Sequence, residues 1–305
     1  MGNRGGGPGR RWIAAAGWAL AALCPLSFAA DLPAPAKPSG AVPVLMYHMI
    51  SDGSDRDCFE AKSCAGRPRP VPAPVSEEIL AACGASASTA SATGAFEPTP
   101  PDPGMVVSVK SFERQMRFLR DRGWRALTLD EVFNARVPLT GRDVVLTFDD
   151  GYADAYAVAF PILRKHGLKG NLFMVSDNVG RPGRLNAAQL RDMDAHGFAV
   201  YAHTKTHANL KELSSPARCV ELRASKAELE ALLRRRVDFV AYPYGDFDAA
   251  VEQAARSAGY AATFSVEAGF CARGPKRGFL RCPRWGVGDA DEREFRRVLG
   301  ASREP

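Results

Sequence analysis

The chain has 305 residues, 46% apolar and 24% charged, an ordinary globular balance and enough length for one large domain or two small ones. Its formal net charge is +6, but Arg4, Arg10 and Arg11 lie in a first 30 residues without any acid, so the rest carries only +3. That mild excess, with no basic run interleaved with aromatics, speaks against nucleic acid as a partner.

The first 30 residues have the layout of an export signal. Arg10 and Arg11 precede an apolar run from Trp12 to Leu23, followed by Pro25 and the small residues Ser27, Ala29 and Ala30. Cleavage after Ala29 or Ala30 fits this layout. An uncleaved anchor is the rival, although the run is short for a full span. Leu23 before Cys24 is too bulky for lipidation of that cysteine. Residues 31–41 are rich in Pro and Ala and read as a tether. Without the signal, six cysteines remain: Cys58, Cys64, Cys83, Cys219, Cys271 and Cys282. An even number in an exported chain suggests disulfides, and none has a metal-type CxxC spacing. Cys271 and Cys282 flank a Gly/Pro-rich turn and are placed to close a hairpin; Cys58 and Cys64 are placed to close a small loop. Such a chain would work in the periplasm or outside the cell, where an envelope or export-machinery partner is conceivable.

The domain is expected over 42–300. VPVLMYH at 42–48 is a short apolar strand ending in His48. Residues 51–104 lose periodicity and carry three cysteines, which reads as a loop insertion with the Ala/Ser/Thr stretch 85–93 as its loosest part. From Ser108 the chain is regular. Phe112, Met116 and Leu119 have helical spacing, closed by Gly123. Thr128 to Glu131 forms a capping box opening a short helix. VVLTFDDGY, 144–152, is an apolar run of the kind that a strand buried on both faces shows, ending in two adjacent carboxylates and a glycine. A helix over 153–166, a strand over 170–175, a helix over 187–196, a strand over 198–203 and a helix over 216–235 follow. Then come a strand and turn over 238–245, a helix from Asp246 to Ser257 and a last strand in YAATFSV. This alternation predicts βα units and a parallel sheet. The strands of such a sheet point one way, so His48, Asp149, Asp150, His203, His207 and Tyr244 are expected together at the rim of their C-terminal ends.

Those residues suit hydrolysis assisted by a metal ion. A lone DDG is often only a solvated turn; adjacent carboxylates need a cation or proton to relieve their repulsion. His203 and His207, four apart, would share one side of a helical turn. With one carboxylate they make a two-His, one-Asp set for zinc, cobalt, nickel or iron, with Thr204 and Thr206 placed to orient the rings. The other carboxylate is free to act as a base toward an activated water. A backbone N–H, which Tyr244 can supply, would hold an oxyanion. His48 is the remaining rim histidine and could protonate the leaving group. His166 and His196 precede glycines at helix ends and read as capping residues. Tyr152, Tyr156, Trp124 and Trp285 are equally suited to packing or to stacking on sugar rings. Arg234 to Arg236 reads as a solvated helix end, or a contact for an anionic envelope surface.

TFDDG at 147–151, HTKTH at 203–207 and the PYG of AYPYG resemble the first three motifs of the polysaccharide deacetylases, the NodB-homology domain of carbohydrate esterase family 4. The resemblance implies an α/β fold, a distorted (β/α) barrel, and hydrolysis of N-acetyl groups on a glycan. It makes Asp149 the general base and Asp150, His203 and His207 the metal ligands, with zinc first among the metals. Tyr244 becomes the oxyanion amide. Two departures stand out: Ala241 occupies the position of the arginine that tethers the base, and no histidine follows His207. VPVLMYHMI and SVKSFERQMRFLRDRGWRALTLDEV resemble the circularly permuted poly-β-1,6-N-acetylglucosamine N-deacetylases, in which the acid histidine lies on the first strand. His48 matches it. Arg284, in RCPRW, is the candidate for the missing arginine. Deacetylation of chitin, peptidoglycan or an O-acetylated glycan, and a silent glycan-binding domain, are the alternatives.

Overall fold

A computed structural model describes residues 36–51, 74–91, 105–135, 137–273 and 279–301. The export-type segment 1–30 and the Cys58–Cys64 loop therefore lie outside the described residues. In chain order the strands are β1 (Ala41–Tyr47), β2 (Met49–Ile50), β3 (Val106–Val107), β4 (Arg125–Ala126), β5 (Asp143–Asp149), β6 (Gly170–Met174), β7 (Phe198–Ala202), β8 (Phe239–Ala241), β9 (Ala262–Phe264), β10 (Phe270–Ala272), β11 (Leu280–Cys282) and β12 (Trp285–Gly286). The helices are α1 (Glu77–Cys83), α2 (Ala87–Ser91), α3 (Val109–Asp121), α4 (Phe160–His166), α5 (Ala187–Ala195), α6 (Ser215–Leu233), α7 (Ala249–Ser257) and α8 (Glu292–Val298).

The main sheet runs β10-β1-β5-β6-β7-β8-β9-β11, with β12 also on β1 and β4 on β5. Every pairing in it is parallel except β10 against β1. The sheet curls into a nearly closed barrel. Its seam lies between β11, which pairs with β9, and β12, which pairs with Leu45 and Met46 of β1. Two residues of chain, Pro283 and Arg284, cross that seam, and the Cys271–Cys282 disulfide staples it, as the hairpin spacing predicts.

The central strands are buried because both faces are covered. All seven residues of β5 and all five of β6 and β7 are inaccessible. Tyr47, Phe112, Phe148 and Phe198 form one aromatic cluster with centroids 4.9–5.9 Å apart, which docks α3 on the sheet. Ser108 caps α3, and its buried stripe is Phe112, Gln115, Met116 and Leu119. Phe173, Phe239 and Phe264 build a second cluster with Tyr201.

Several local expectations shift. Thr128 and Glu131 do exchange backbone-to-side-chain hydrogen bonds, but the turn they open at Asp130–Asn134 is π-helical. The helix before Gly167 likewise begins with a π turn at Ala155–Ala159. α7 begins at Ala249 rather than at 246, because Asp248 caps it by accepting from Val251 N–H. The stretch 85–93, read as the loosest of its region, contains α2; α1 precedes it, capped by Ser76 and ended by Gly84. Cys83 at the end of α1 is disulfide-bonded to Cys219 on α6. His166 is buried between Arg120 and Glu113, and His196 shares its Nδ1 with the Asp192 carbonyl. Arg234 ends α6 with φ 56°, but Arg235 is not merely solvated: it pairs with Asp194 and stacks over Tyr201. Trp124, Trp285 and Tyr152 are packed in the core.

Candidate metal centre and active site

The sheet delivers its polar residues where its strands stop. His48 follows β1 directly, Asp149 is the last residue of β5, His203 follows β7, and Tyr244 stands three residues past β8. Parallel register makes these neighbours: Phe148 of β5 aligns with Tyr47 of β1, and Met174 of β6 with Ala202 of β7.

The backbone at this rim is unusual. Among the described residues, five other than glycine have positive φ, and four of them are Asp150 (70°), Thr204 (64°), His207 (67°) and Tyr244 (59°). Each such residue costs about 1–2 kcal/mol. Strain of this kind persists only where surrounding structure holds it. Gly151 continues the turn with φ 75°, and a Cβ there would lie 2.1 Å from Met174 Sδ. Only glycine fits both the angle and the space.

His203 and His207 do not share a helical turn. They lie on an irregular loop after β7, folded back by the positive φ of Thr204 and His207 and by a hydrogen bond from His207 N–H to Thr204 Oγ1 (3.2 Å). The loop nonetheless brings the rings together, with centroids 4.9 Å apart. Asp150 Oδ1 lies 3.4 Å from His203 Nε2 and 3.3 Å from His207 Nε2. His203 Nδ1 sits 2.9 Å from the Ala241 carbonyl, which can only accept, so Nδ1 carries the hydrogen and Nε2 faces the carboxylate. Asp150 Oδ1 is buried and receives no conventional hydrogen bond. Three electron-rich atoms thus converge, and the ligand atoms of Asp150, His203 and His207 all lie within 4.8 Å of one another. Among the described residues this group could hold a metal ion, and its donor set of two imidazoles and one carboxylate suits a divalent transition metal.

The ionisation of these groups is mutually set. Burial pushes the Asp150 carboxyl up, but the two imidazoles outweigh it and hold it far below the ordinary range. Burial lowers His203, yet Asp150 and Asp149 lift it above its usual value. His207 is pushed down to about 4, first by burial and then by the neighbouring His203 charge. A cation among these atoms would offset the negative charge of the two carboxylates.

Asp149 is occupied differently. Arg284, fully buried in the two-residue link between β11 and β12, makes a bidentate pair with it: Nη1 to Oδ1 and Nη2 to Oδ2, both 2.8 Å. The guanidinium is itself fixed by the Ser265 carbonyl (3.0 Å) and Thr147 Oγ1 (3.3 Å), and lies 5.3 Å from the Phe173 ring centroid. Burial raises the Asp149 carboxyl, but Arg284, His203 and His48 together keep it below the ordinary range. Ala241, where the family motif has its arginine, contributes its carbonyl to His203 instead.

His48 is half-buried, and its charge acts on both carboxylates. The chain just beyond it is anchored by Ile50 N–H donating to buried Asp154 (2.7 Å). Tyr244 is 62% exposed, and its ring meets His207 edge-on at 4.9 Å. The bonds of its turn run from Gly245 N–H to Tyr242 and from Asp246 N–H to Pro243. All seven residues singled out from the sequence therefore meet at one rim. Sequence reasoning missed Asp154, Thr147, Ser265, Arg184 and Glu221, because each acts through a partner distant in the chain. Arg184, buried, packs its guanidinium 3.8 Å from the Tyr152 ring centroid and reaches the Asp150 carbonyl (3.4 Å).

Comparison with known proteins finds similarity to the polysaccharide deacetylases. The polysaccharide deacetylase profile matches residues 136–263. Bacillus subtilis YxkH, named as a polysaccharide deacetylase, is 32% identical over 173 residues, covering 55% of this chain and 61% of that protein. A Staphylococcus aureus poly-β-1,6-N-acetyl-D-glucosamine N-deacetylase is 26% identical over 179 residues, covering 53% of this chain and 61% of that one. The chain thus spans about 61% of the length of these curated relatives. Among solved structures, the Streptococcus pyogenes deacetylase PplD, in complex with acetate, superposes with a TM-score of 0.63 at 23% identity, covering 87% of this chain and 99% of that one, a likeness of fold. The matched profile holds Asp149, Asp150, His203, His207 and Tyr244; His48 and Arg284 lie outside it.

Proposed function

On its similarity to the polysaccharide deacetylases, we propose that the chain is an exported, metal-dependent hydrolase that removes N-acetyl groups from a polysaccharide containing N-acetylglucosamine. The observation that carries this reading is the convergence of Asp150, His203 and His207 beside a separately held Asp149–Arg284 pair. One carboxylate is left free of the metal set and kept ionised, as a general base requires.

Asp150, His203 and His207 would hold the ion, with zinc the first choice and cobalt, nickel or iron as alternatives. When bound, it supplies Lewis acidity at the scissile carbonyl and eases the loss of a proton from water. Asp149 takes that proton as the water oxygen attacks the acetyl carbon. Arg284 keeps Asp149 ionised and aims both its oxygens. The Tyr244 N–H donates to the oxygen that gains charge as the carbon becomes tetrahedral. His48 gives a proton to the departing nitrogen, so that acetate and a free glucosamine unit result. The exposed Tyr244 leaves the rim open to a long polymer rather than enclosing a small molecule.

The substrate we favour is poly-β-1,6-N-acetylglucosamine, on the Staphylococcus aureus relative and on the position of His48 directly after the first strand. Two disulfides fit an oxidising compartment, periplasmic or extracellular. No helix among the described residues is long and apolar enough to cross a membrane. Acetate release from poly-β-1,6-N-acetylglucosamine, chitin oligomers and acetyl-xylan, with and without chelator, tests the proposal. Preferred release from the first, abolished by chelator and restored by metal, is expected. Glycan binding without acetate release would sink it in favour of a silent binding domain.

A further inference from the structure

Glu221 is an acid with no measurable exposure, on the inner side of α6. Its Oε2 accepts the backbone N–H groups of Lys205 (3.0 Å) and Thr206 (2.9 Å), and its Oε1 accepts the Thr206 hydroxyl (2.7 Å). These three donors are the segment between His203 and His207. Asp149 and Asp150, by contrast, face side chains. A second grip comes from the far side. Lys205 Nζ, itself buried, reaches Asp177 (2.5 Å) and Glu228 (2.7 Å), while Ser176 N–H and Asp177 N–H donate to the Thr204 and Lys205 carbonyls (3.2 and 3.0 Å).

The need for such restraint is visible in the backbone. Thr204 and His207, at the two ends of the gripped segment, both hold positive φ, and threonine is branched at Cβ. Local sequence does not favour that path. A loop left to itself would relax toward ordinary dihedrals and move the His207 ring relative to that of His203. The rings must stay in place for both Nε2 atoms to face Asp150 Oδ1.

We propose that Glu221 is a positioning residue that sets the metal affinity of the His203–His207 loop, a statement that rests on the metal reading above. It touches no reacting atom and acts through the main chain of Lys205 and Thr206. Groups that orient metal ligands typically change affinity by about 10–100-fold when removed.

The test is metal affinity of the purified chain, by competition between protein and a chromophoric chelator for Zn²⁺, with the absorption spectrum of the Co²⁺ form as a geometric readout. Glu221→Ala is expected to weaken binding by about 10–100-fold and to change the Co²⁺ spectrum. Glu221→Gln is expected to restore most of the affinity. Its amide oxygen can still take the two backbone N–H groups, and its amide nitrogen can donate to the Thr206 hydroxyl. If Glu221→Ala melts earlier as the apo protein yet binds metal as tightly as wild type with the same spectrum, Glu221 is only a structural residue and the proposal is overturned. Should Glu221→Ala fail to fold, Thr206→Val removes a single bond of the set and is expected to weaken affinity in the same direction; unchanged affinity overturns the proposal. Failure of the metal reading itself looks different: wild type would then bind no more metal than His203→Ala.

Discussion

The Asp149–Arg284 pair yields a sharp energetic prediction. Both groups are essentially inaccessible, at 2% and 0% side-chain exposure, and joined by two parallel bonds of 2.8 Å. Arg284→Met keeps most of the side-chain volume but strands a buried carboxylate, and removing one partner of such a pair costs about 3–5 kcal/mol. Asp149→Asn strands the guanidinium and should cost a similar amount. The double variant leaves no uncompensated charge, so it should lose far less than the two single losses together. Urea unfolding of the four proteins forms a double-mutant cycle whose expected coupling is about 3 kcal/mol or more. The pH dependence has a definite sign. The folded Asp149 carboxyl is depressed, so its contribution is fully present above the ordinary carboxylate pKa and disappears as pH falls through the folded value. In Arg284→Met, desolvation is no longer offset by the guanidinium, and the acid limb of turnover should move to higher pH. Additive losses, within about 0.5 kcal/mol, would refute the reasoning, because independent sites add to that degree.

Other outcomes follow from the same geometry. Asp150→Asn and His203→Ala should lose bound metal and turnover together, whereas Asp149→Asn should keep its metal and lose turnover; equal metal content in all three, measured by atomic emission, would overturn the division of roles. His48→Gln should retain metal and lower kcat by about 10²–10⁴-fold, the usual contribution of a general acid, and a change of less than tenfold would point elsewhere for the proton. Replacing Cys271 and Cys282 by serine opens an 11-residue separation and should cost about 3 kcal/mol in unfolding free energy, read from the denaturant midpoint. Its turnover should fall too, since the staple flanks the segment that carries Arg284.

Much of the architecture was legible because it is local. Val144 to Phe148 is an unbroken apolar run, and such a run is what a strand covered on both faces shows. Asn186 ahead of the helix expected over 187–196, and Ser108 before Phe112, announce helix starts that the structure keeps. The same signals were present and undervalued at Ser76, Glu77, Glu78 and Gly84, where short length hid a helix inside an irregular region. What stayed hidden is non-local. The spacing of His203 and His207 suits a helix, yet the path between them is imposed by Glu221, fifteen and sixteen residues further on. Arg284 became a candidate only because the motif that the chain resembles has an arginine where Ala241 stands; nothing near it in sequence reveals a partner 135 positions away.

The placement of β1 has one more implication. It lies between β5 on one side and β10 with β12 on the other, so residues 41–47 are framed by the middle of the chain and by residues 270–286. A polypeptide emerging residue by residue can lay down the carboxylates and imidazoles well before position 284 exists. Until that last stretch arrives, β1 carries an unpaired hydrogen-bonding flank and Asp149 lacks its guanidinium partner. Closing the seam and pairing Asp149 with Arg284 are therefore a single late event.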